Sequence, residues 1–217
     1  KSPKENPCVT EKANWRKFGK KQLMKILFFF IGSIACLTLV SSCTDSDAYA
    51  KTEENYGEEV EKYAKIYQLP SPYLKALIVL ESSGKKPSST RFEKKIYREL
   101  IEVRDGKRVT CQGLRRKDIR GLSNAAIKNL STSWGPFQLM GYQALKLNVH
   151  VKDIRGPESV KWGIKWINDA YGDYLRQGKF EEAFRIHNTG RPHGKTYDSD
   201  YVKNGLKHIE HFQSNNP

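Results

Sequence analysis

Cysteine is scarce where a disulfide-built or metal-built domain would need it. Of four cysteines in 217 residues, Cys8, Cys36 and Cys43 lie in the N-terminal fifth and Cys111 stands alone in the body. That distribution excludes an internal disulfide framework and a four-ligand cysteine cluster there, and Cys111 reads as a small buried hydrophobe. The five histidines do not fill the gap. His208 and His211 form one i, i+3 pair on the terminal helix with only Glu210 beside them, so a solvated face is expected rather than a metal site. No glycine-rich nucleotide loop, no Ser-His-Asp arrangement, no internal repeat and no long low-complexity tract is present, and neither a metal nor a cofactor is expected. Acidic residues are in deficit, 24 Asp and Glu against 38 Lys and Arg, for a formal charge of +14. Such a surface favours an anionic partner. No basic run is interleaved with aromatics in the manner of a nucleic-acid module, so nucleic acid is not the expected one.

Long apolar runs are also rare. After a basic, aperiodic stretch over 1–23, Met24-Lys25 leads into Ile26 to Val40, fifteen residues that are almost all apolar. This is short of the roughly 20 residues that span a bilayer as a helix, and it has the length of a signal-peptide core behind a positive flank. The run ends Leu39-Val40-Ser41-Ser42-Cys43, small residues before a cysteine. The expected organisation is a basic leader over 1–23, or a true start at Met24, then a lipoprotein signal peptide over 24–42. Cys43 is then the lipidated mature N-terminus and the link to a membrane. Removal of 1–42 leaves thirty basic and twenty-two acidic residues, a net charge of +8. Residues 43–54 are polar and acidic and read as a tether, with the folded domain expected over 55–217.

Within that domain helical periods dominate and predict a mainly α fold with little or no β-sheet. Val60, Tyr63 and Tyr67 mark a first helix, stopped by Leu69-Pro70. Ser71-Pro72 reads as an N-cap followed by proline at the first helical position, and Gly84 as the stop. Phe92, Ile96, Leu100 and Val103 give a further helix followed by a turn, although the β-branched residues near Asp105-Gly106 also permit a hairpin ending at Val109. Leu122 to Leu130 gives a short helix, and Gly135-Pro136 a break that positions another. Gly156-Pro157 opens the longest helix, with Val160, Ile164, Ile167, Tyr171 and Leu175 on its buried face and Gly178 at its end. Helices from Phe180 to Ile186 and from about Asp200 to Phe212 complete the chain.

One side chain stands out. Leu74, Leu77, Ile78 and Glu81 fall at i, i+3, i+4 and i+7, so a carboxyl group sits in line with an apolar stripe near the end of its helix. Loss of hydration favours the neutral, proton-donating form of an acid, the form that general acid catalysis requires. Gln138, among apolar neighbours, must be satisfied by the protein or face a polar ligand.

Three segments carry a resemblance. Glu81-Ser82-Ser83-Gly84, then Ser133-Trp134-Gly135-Pro136-Phe137-Gln138-Leu139-Met140, then His187-Asn188-Thr189-Gly190 ahead of Tyr201-Val202 together resemble the lysozyme-like lytic transglycosylases, over about Tyr56 to Phe212. The resemblance implies a lysozyme-like fold and a monomer that cuts the β-1,4 bond between N-acetylmuramic acid and N-acetylglucosamine in peptidoglycan, at the cell envelope facing the periplasm. Glu81 would be the single acid/base. Ser133, Gln138, Met140, His187, Asn188 and Tyr201 would line or order the sugar site. A basic cleft would suit the carboxylates of the wall's peptides.

His187 stands where that family has tyrosine, and it either packs or brings a pH-dependence near neutrality. The Arg91 to Tyr97 stretch with the Trp134 to Gly141 run also resembles N-acetylmuramidase-type lysins. Hydrolysis with inversion needs a second carboxyl about 6.5–9.5 Å from the first, for which Glu93 and Asp105 are candidates. A wall-binding lipoprotein without chemistry is the third reading.

Overall fold

The computed structural model describes residues 45–214. The expected leader, the signal segment and Cys43 lie outside the described residues. The tether expected over 43–54 is corrected: residues 45–52 are helical (α1) and continue through a π-helical turn, Glu53–Gly57, into α2, Glu58–Tyr67. Ala48, Tyr49, Thr52 and Tyr56 are buried. Their helical spacing is hard to see among acids and serines, because one of the four is a threonine and another an alanine. The folded unit therefore includes residues from Asp45 on, not from 55.

Gln68 adopts the left-handed conformation after α2, and Pro70 is extended. Helix α3 is Ser71–Ser82. Ser71 is its first helical residue and not its N-cap, because Pro70 takes the cap position and the Ser71 hydroxyl donates to Glu61 Oε1 at 2.8 Å. Nor does α3 bury a stripe only. Tyr73, Leu74, Lys75, Ala76, Leu77, Ile78, Val79 and Ser82 are all buried, so the helix is enclosed on every side. Lys75 is tolerated there because Glu53 and Glu61 each approach its ammonium to 2.8 Å. Burial alone would lower its pKa, but the two carboxylates outweigh burial and leave it raised.

The main core gathers around α3. It takes Val60 and Ala64 from α2, then Val160, Ile164, Ile167, Tyr171 and Leu175 from α9, Ser159–Arg176, on the face the sequence period predicts. Ala183 and Phe184 of α10, Phe180–Thr189, and Val202, Ile209 and Phe212 of α11, Tyr201–Ser214, close it. The solvated face expected for His208 and His211 is corrected. His208 is buried with Nδ1 2.8 Å from the Tyr49 hydroxyl, and His211 stacks on the Tyr49 ring at 3.6 Å, because α1 covers that side of α11.

Between α3 and α9 the chain builds a second region. β1, Arg91–Phe92, leads into α4, Lys94–Arg104. The hairpin β2, Thr110–Cys111, and β3, Leu114–Arg115, follows, then α5, Arg116–Ile119, and α6, Asn124–Leu130. Leu100, Val103, Leu114, Ile119, Ile127 and Leu130 form its core with Cys111. Burial pushes the Cys111 thiol up to about 11, and its S–H points to Glu99. The stretch from Ser131 is a hairpin of β4, Thr132–Trp134, and β5, Leu139–Met140, ahead of the short helices α7, Gln143–Lys146, and α8, Val151–Arg155. β4 lies between β1 and β5, antiparallel to both, with Arg91 opposite Ser133 and Ser133 opposite Met140. The fold is mainly α with small sheets, as the sequence predicts. Among the described residues no helix is long and apolar enough to cross a membrane.

Gly84 follows α3 with φ +67° and presses against α1, where an added Cβ would lie 2.6 Å from the Thr52 backbone nitrogen. Gly84→Ala is expected to lower stability by roughly 2–3 kcal/mol through both strain and overlap, read as a shift of the urea midpoint at unchanged m-value.

Candidate active site

Glu81 lies in the last turn of α3, where the enclosure of that helix opens: its side chain is 17 % exposed, whereas Leu74, Leu77 and Ile78 on the same line are fully buried. Ser83 ends the helix in the left-handed conformation and passes the chain to Gly84. The following loop is held from α1's side of the molecule. Asn55 Nδ2 donates to the Gly84 carbonyl at 2.9 Å and the Tyr56 hydroxyl to the Lys85 carbonyl at 2.6 Å. Both residues belong to the π-turn, which widens the helix and turns these two side chains toward the loop.

Three other elements converge on the carboxyl group. From the start of α11, the Tyr201 hydroxyl donates to Glu81 Oε1 at 2.5 Å. From α10, His187 Nε2 stands 3.8 Å from the same oxygen. That ring is fixed at both ends. Its Nε2–H donates to the Phe137 carbonyl at 3.1 Å, and its Nδ1 accepts from the Tyr171 hydroxyl at 2.8 Å, an assignment of the proton made from the hydrogen-bond partners. Phe137 brings in the β4–β5 turn. Its ring is buried against α9, where an added Cβ on Gly163 would lie 2.3 Å from Phe137 Cδ2. Only glycine leaves that space, and the fit brings the turn's carbonyl to His187.

The groups around Glu81 are thus hydroxyls and an imidazole. Burial raises the hydroxyl pKa values of Tyr73, Tyr171 and Tyr201, and for Tyr201 the negative Glu81 adds to the rise. All three stay protonated at any ordinary pH. The Tyr73 hydroxyl makes no hydrogen bond of good geometry although Tyr171 lies beside it. Asn188, exposed at the end of α10, reaches the Tyr201 hydroxyl. Among the described residues no protein hydrogen bond falls on Glu81 Oε2, so one carboxyl oxygen is held and the other is available.

The sequence-predicted residues divide in two. Glu81, His187, Asn188 and Tyr201 come together. Ser133, Gln138 and Met140 serve the sheet: the Ser133 hydroxyl donates to Gln138 Oε1 at 2.8 Å, and Gln138 Nε2 donates to the Ser89 and Gly135 carbonyls at 2.7 and 3.1 Å. Gln138 is satisfied by the protein, tying the loop after Glu81 to the β4–β5 turn. Met140 packs on the second core. The two candidate second carboxylates are each held by a neighbouring arginine. Glu93 pairs with Arg91 Nε at 2.7 Å at the junction of β1 and α4. Asp105 lies past the end of the eleven-residue α4, roughly 16 Å along it from β1, and its hydrogen bond from Arg104 lowers its pKa. Tyr171, which the sequence marks only as core, belongs to the site, as do Tyr73 and the Phe137 carbonyl. Among the described residues no three His, Cys, Asp or Glu side chains converge as metal ligands do. Compared with protein-family models, curated proteins and solved structures, the chain matches none.

Burial works against a charge on His187. Burial lowers its pKa from 6.5, against the opposing pull of Glu81 and the Phe137 carbonyl, so at pH 7 the ring is neutral and places no full positive charge beside the carboxyl. The unfolded chain binds a proton near pH 6.5 that the folded chain refuses, so stability falls as pH drops below that value until the folded pKa is reached. Buried His208, also lowered by desolvation, adds to the same fall. His187→Gln is expected to flatten the decline in unfolding free energy between pH 7 and 5 by up to about 1.4 kcal/mol per pH unit, measured by chemical denaturation across that range.

Proposed function

We propose that the protein is a peptidoglycan lytic transglycosylase with a lysozyme-like fold, cleaving the β-1,4 bond between N-acetylmuramic acid and N-acetylglucosamine with Glu81 as its one acid/base. The observation that carries the reading is the state of Glu81. One oxygen is fixed by Tyr201, the other has no hydrogen-bond partner among the described residues, and the surrounding groups are neutral tyrosines and a neutral imidazole.

Cleavage of this bond requires a proton on a poor leaving oxygen. Glu81 Oε2 would deliver it to the N-acetylglucosamine O4 as the C1–O4 bond breaks. The muramyl C6 hydroxyl then attacks C1, its proton returns to Glu81, and the product closes as a 1,6-anhydro ring with no water consumed. A reaction of this kind uses a single carboxyl group in both steps. The pairing of Glu93 and Asp105 with their own arginines supports it over a route in which a second, free carboxylate activates water. Tyr201 acts as a positioning residue, holding Oε1 so that Oε2 faces the bond. The expected setting is the cell envelope, with Cys43 as the lipid anchor and glycan strands as the partner.

Purified sacculi incubated with the protein should release anhydro-muropeptides, and Glu81→Gln should reduce release by more than about 1,000-fold at unchanged thermal stability. Products with reducing ends would assign hydrolysis instead, and an inert wild type would leave a wall-binding role. Tyr201→Phe removes one hydroxyl and should lower kcat roughly 10–100-fold with little change in KM, as expected when a charge-assisted hydrogen bond at the reacting group is lost.

A further inference from the structure

Helix α1 holds to the rest of the domain by a small face. Ala48, Tyr49 and Thr52 are its buried residues, and Asp45 at its start pairs with Lys207 of α11 at 2.7 Å on the surface. Lifting such a helix exposes little apolar area, so its opening costs less than unfolding of the core.

Tyr49 is the centre of the attachment. Its ring stacks on His211 at 3.6 Å and meets the rings of His208 and Phe212 edge-on at 5.4 Å each, and its hydroxyl lies 2.8 Å from His208 Nδ1. The same helix backs the loop that leaves Glu81. An added Cβ on Gly84 would lie 2.7 Å from the Ala48 carbonyl oxygen and from Thr52 Oγ1, and the π-turn that continues α1 sends Asn55 and Tyr56 to the Gly84 and Lys85 carbonyls. Movement of α1 away from α11 therefore removes the backing of that loop.

His208 makes the attachment sensitive to protons. Burial is the largest influence on its imidazole and opposes a charge there. The groups that face the ring do not reverse this. Lys207 and His211 of its own helix also oppose a charge, while Asp45 of α1 favours one with a carboxylate that Lys207 already engages. The Tyr49 hydroxyl, pushed up by its own burial, stays protonated. From α3, Lys75 stands 5.9 Å from the centre of the Phe212 ring with Glu53 and Glu61 on its ammonium. With Tyr49 lifted, His208 meets water and takes a proton near its ordinary value of 6.5; with Tyr49 seated, it refuses one until the pH is lower. Between those two values each unit fall in pH raises the ratio of lifted to seated helix by up to about tenfold.

We propose that α1 is a pH-sensitive clasp: acid protonates His208, Tyr49 leaves it, and the loop after Glu81 loses its support.

Peptide-resolved hydrogen–deuterium exchange on the full chain tests this, with rates corrected for the chemical effect of pH. Between pH 7.5 and 5.5 the amides of 45–57 should lose roughly three- to tenfold of their protection, those of 84–88 should follow, and those of α9 should keep theirs. His208→Gln leaves an acceptor for the Tyr49 hydroxyl and takes no proton, so α1 should stay protected at both pH values. Tyr49→Ala should leave α1 unprotected at both, because His208 is then open to water throughout. Loss of protection in α1 and α9 together, a wild-type α1 still protected at pH 5.5, or a pH step that survives in either variant overturns the clasp. An unmoved 84–88 segment overturns its link to the loop. If His208→Gln itself opens α1 at pH 7.5, the wild-type contrast between α1 and α9 and its loss in Tyr49→Ala decide the matter. Exchange is read without any cleavage of sacculi, so failure of the clasp leaves the reading of Glu81 untouched.

Discussion

The hydrogen bond from Tyr201 to Glu81 is the contact on which the site depends. It spans 120 residues of sequence and joins the C-terminal end of α3 to the first turn of α11, two helices that pack against each other along the main core. A carboxyl group at the edge of an apolar helix would otherwise turn toward water. With Oε1 held at 2.5 Å, its orientation is set by two rigid elements and not by its own rotamers.

Around that contact the protein stacks supports from distant parts of the chain. Tyr171 interrupts the helical dihedrals of α9 and hydrogen-bonds His187, which in turn holds the Phe137 carbonyl. Phe137 is itself set by the missing side chain of Gly163. On the other side the π-turn presents Asn55 and Tyr56 to the loop after Glu81, while Glu53 in the same turn joins Glu61 in neutralising Lys75. A departure from regular helix geometry occurs in each support, which is where functional constraints tend to be met at some cost in local stability. The neutral histidine fits this pattern: its value at the site lies in two hydrogen bonds, not in charge.

Much of the helical framework was legible in the sequence, because apolar periods in α2, α9 and α11 are strong and Gly178 and the Leu69-Pro70 break are clear stops. The departures have specific causes. The hairpin of β4 and β5 is too short for a period of two to register, and its strands exist through pairing with β1, some forty residues earlier. α1 looks like a tether in sequence, since its buried face is only Ala48, Tyr49, Thr52 and Tyr56 among acids. His208 looks solvated in sequence because its own helix cannot show that α1 lies over it. Gln138 reads as a polar group among apolar neighbours, but whether such a group meets a ligand or the protein is a question of distance, and here Ser133 and the Ser89 and Gly135 carbonyls satisfy it.

By itself the sequence determined the helical class, the apolar stripe of α3 and the odd position of Glu81, since these follow from local spacing and from the free energy of burying apolar side chains. Tertiary structure alone decided which neighbours that carboxyl group has. Tyr201 and His187 reach it from two separate helices, backed by Asn188 on the Tyr201 hydroxyl and the Phe137 carbonyl on the His187 ring, and hydrogen bonds of 2.5–3.1 Å depend on packing that no local pattern encodes. It decided equally that Lys86, Lys152 and Arg155 line one groove with Glu59, because the charge on a surface is written residue by residue while its pairing depends on which surfaces the fold brings face to face.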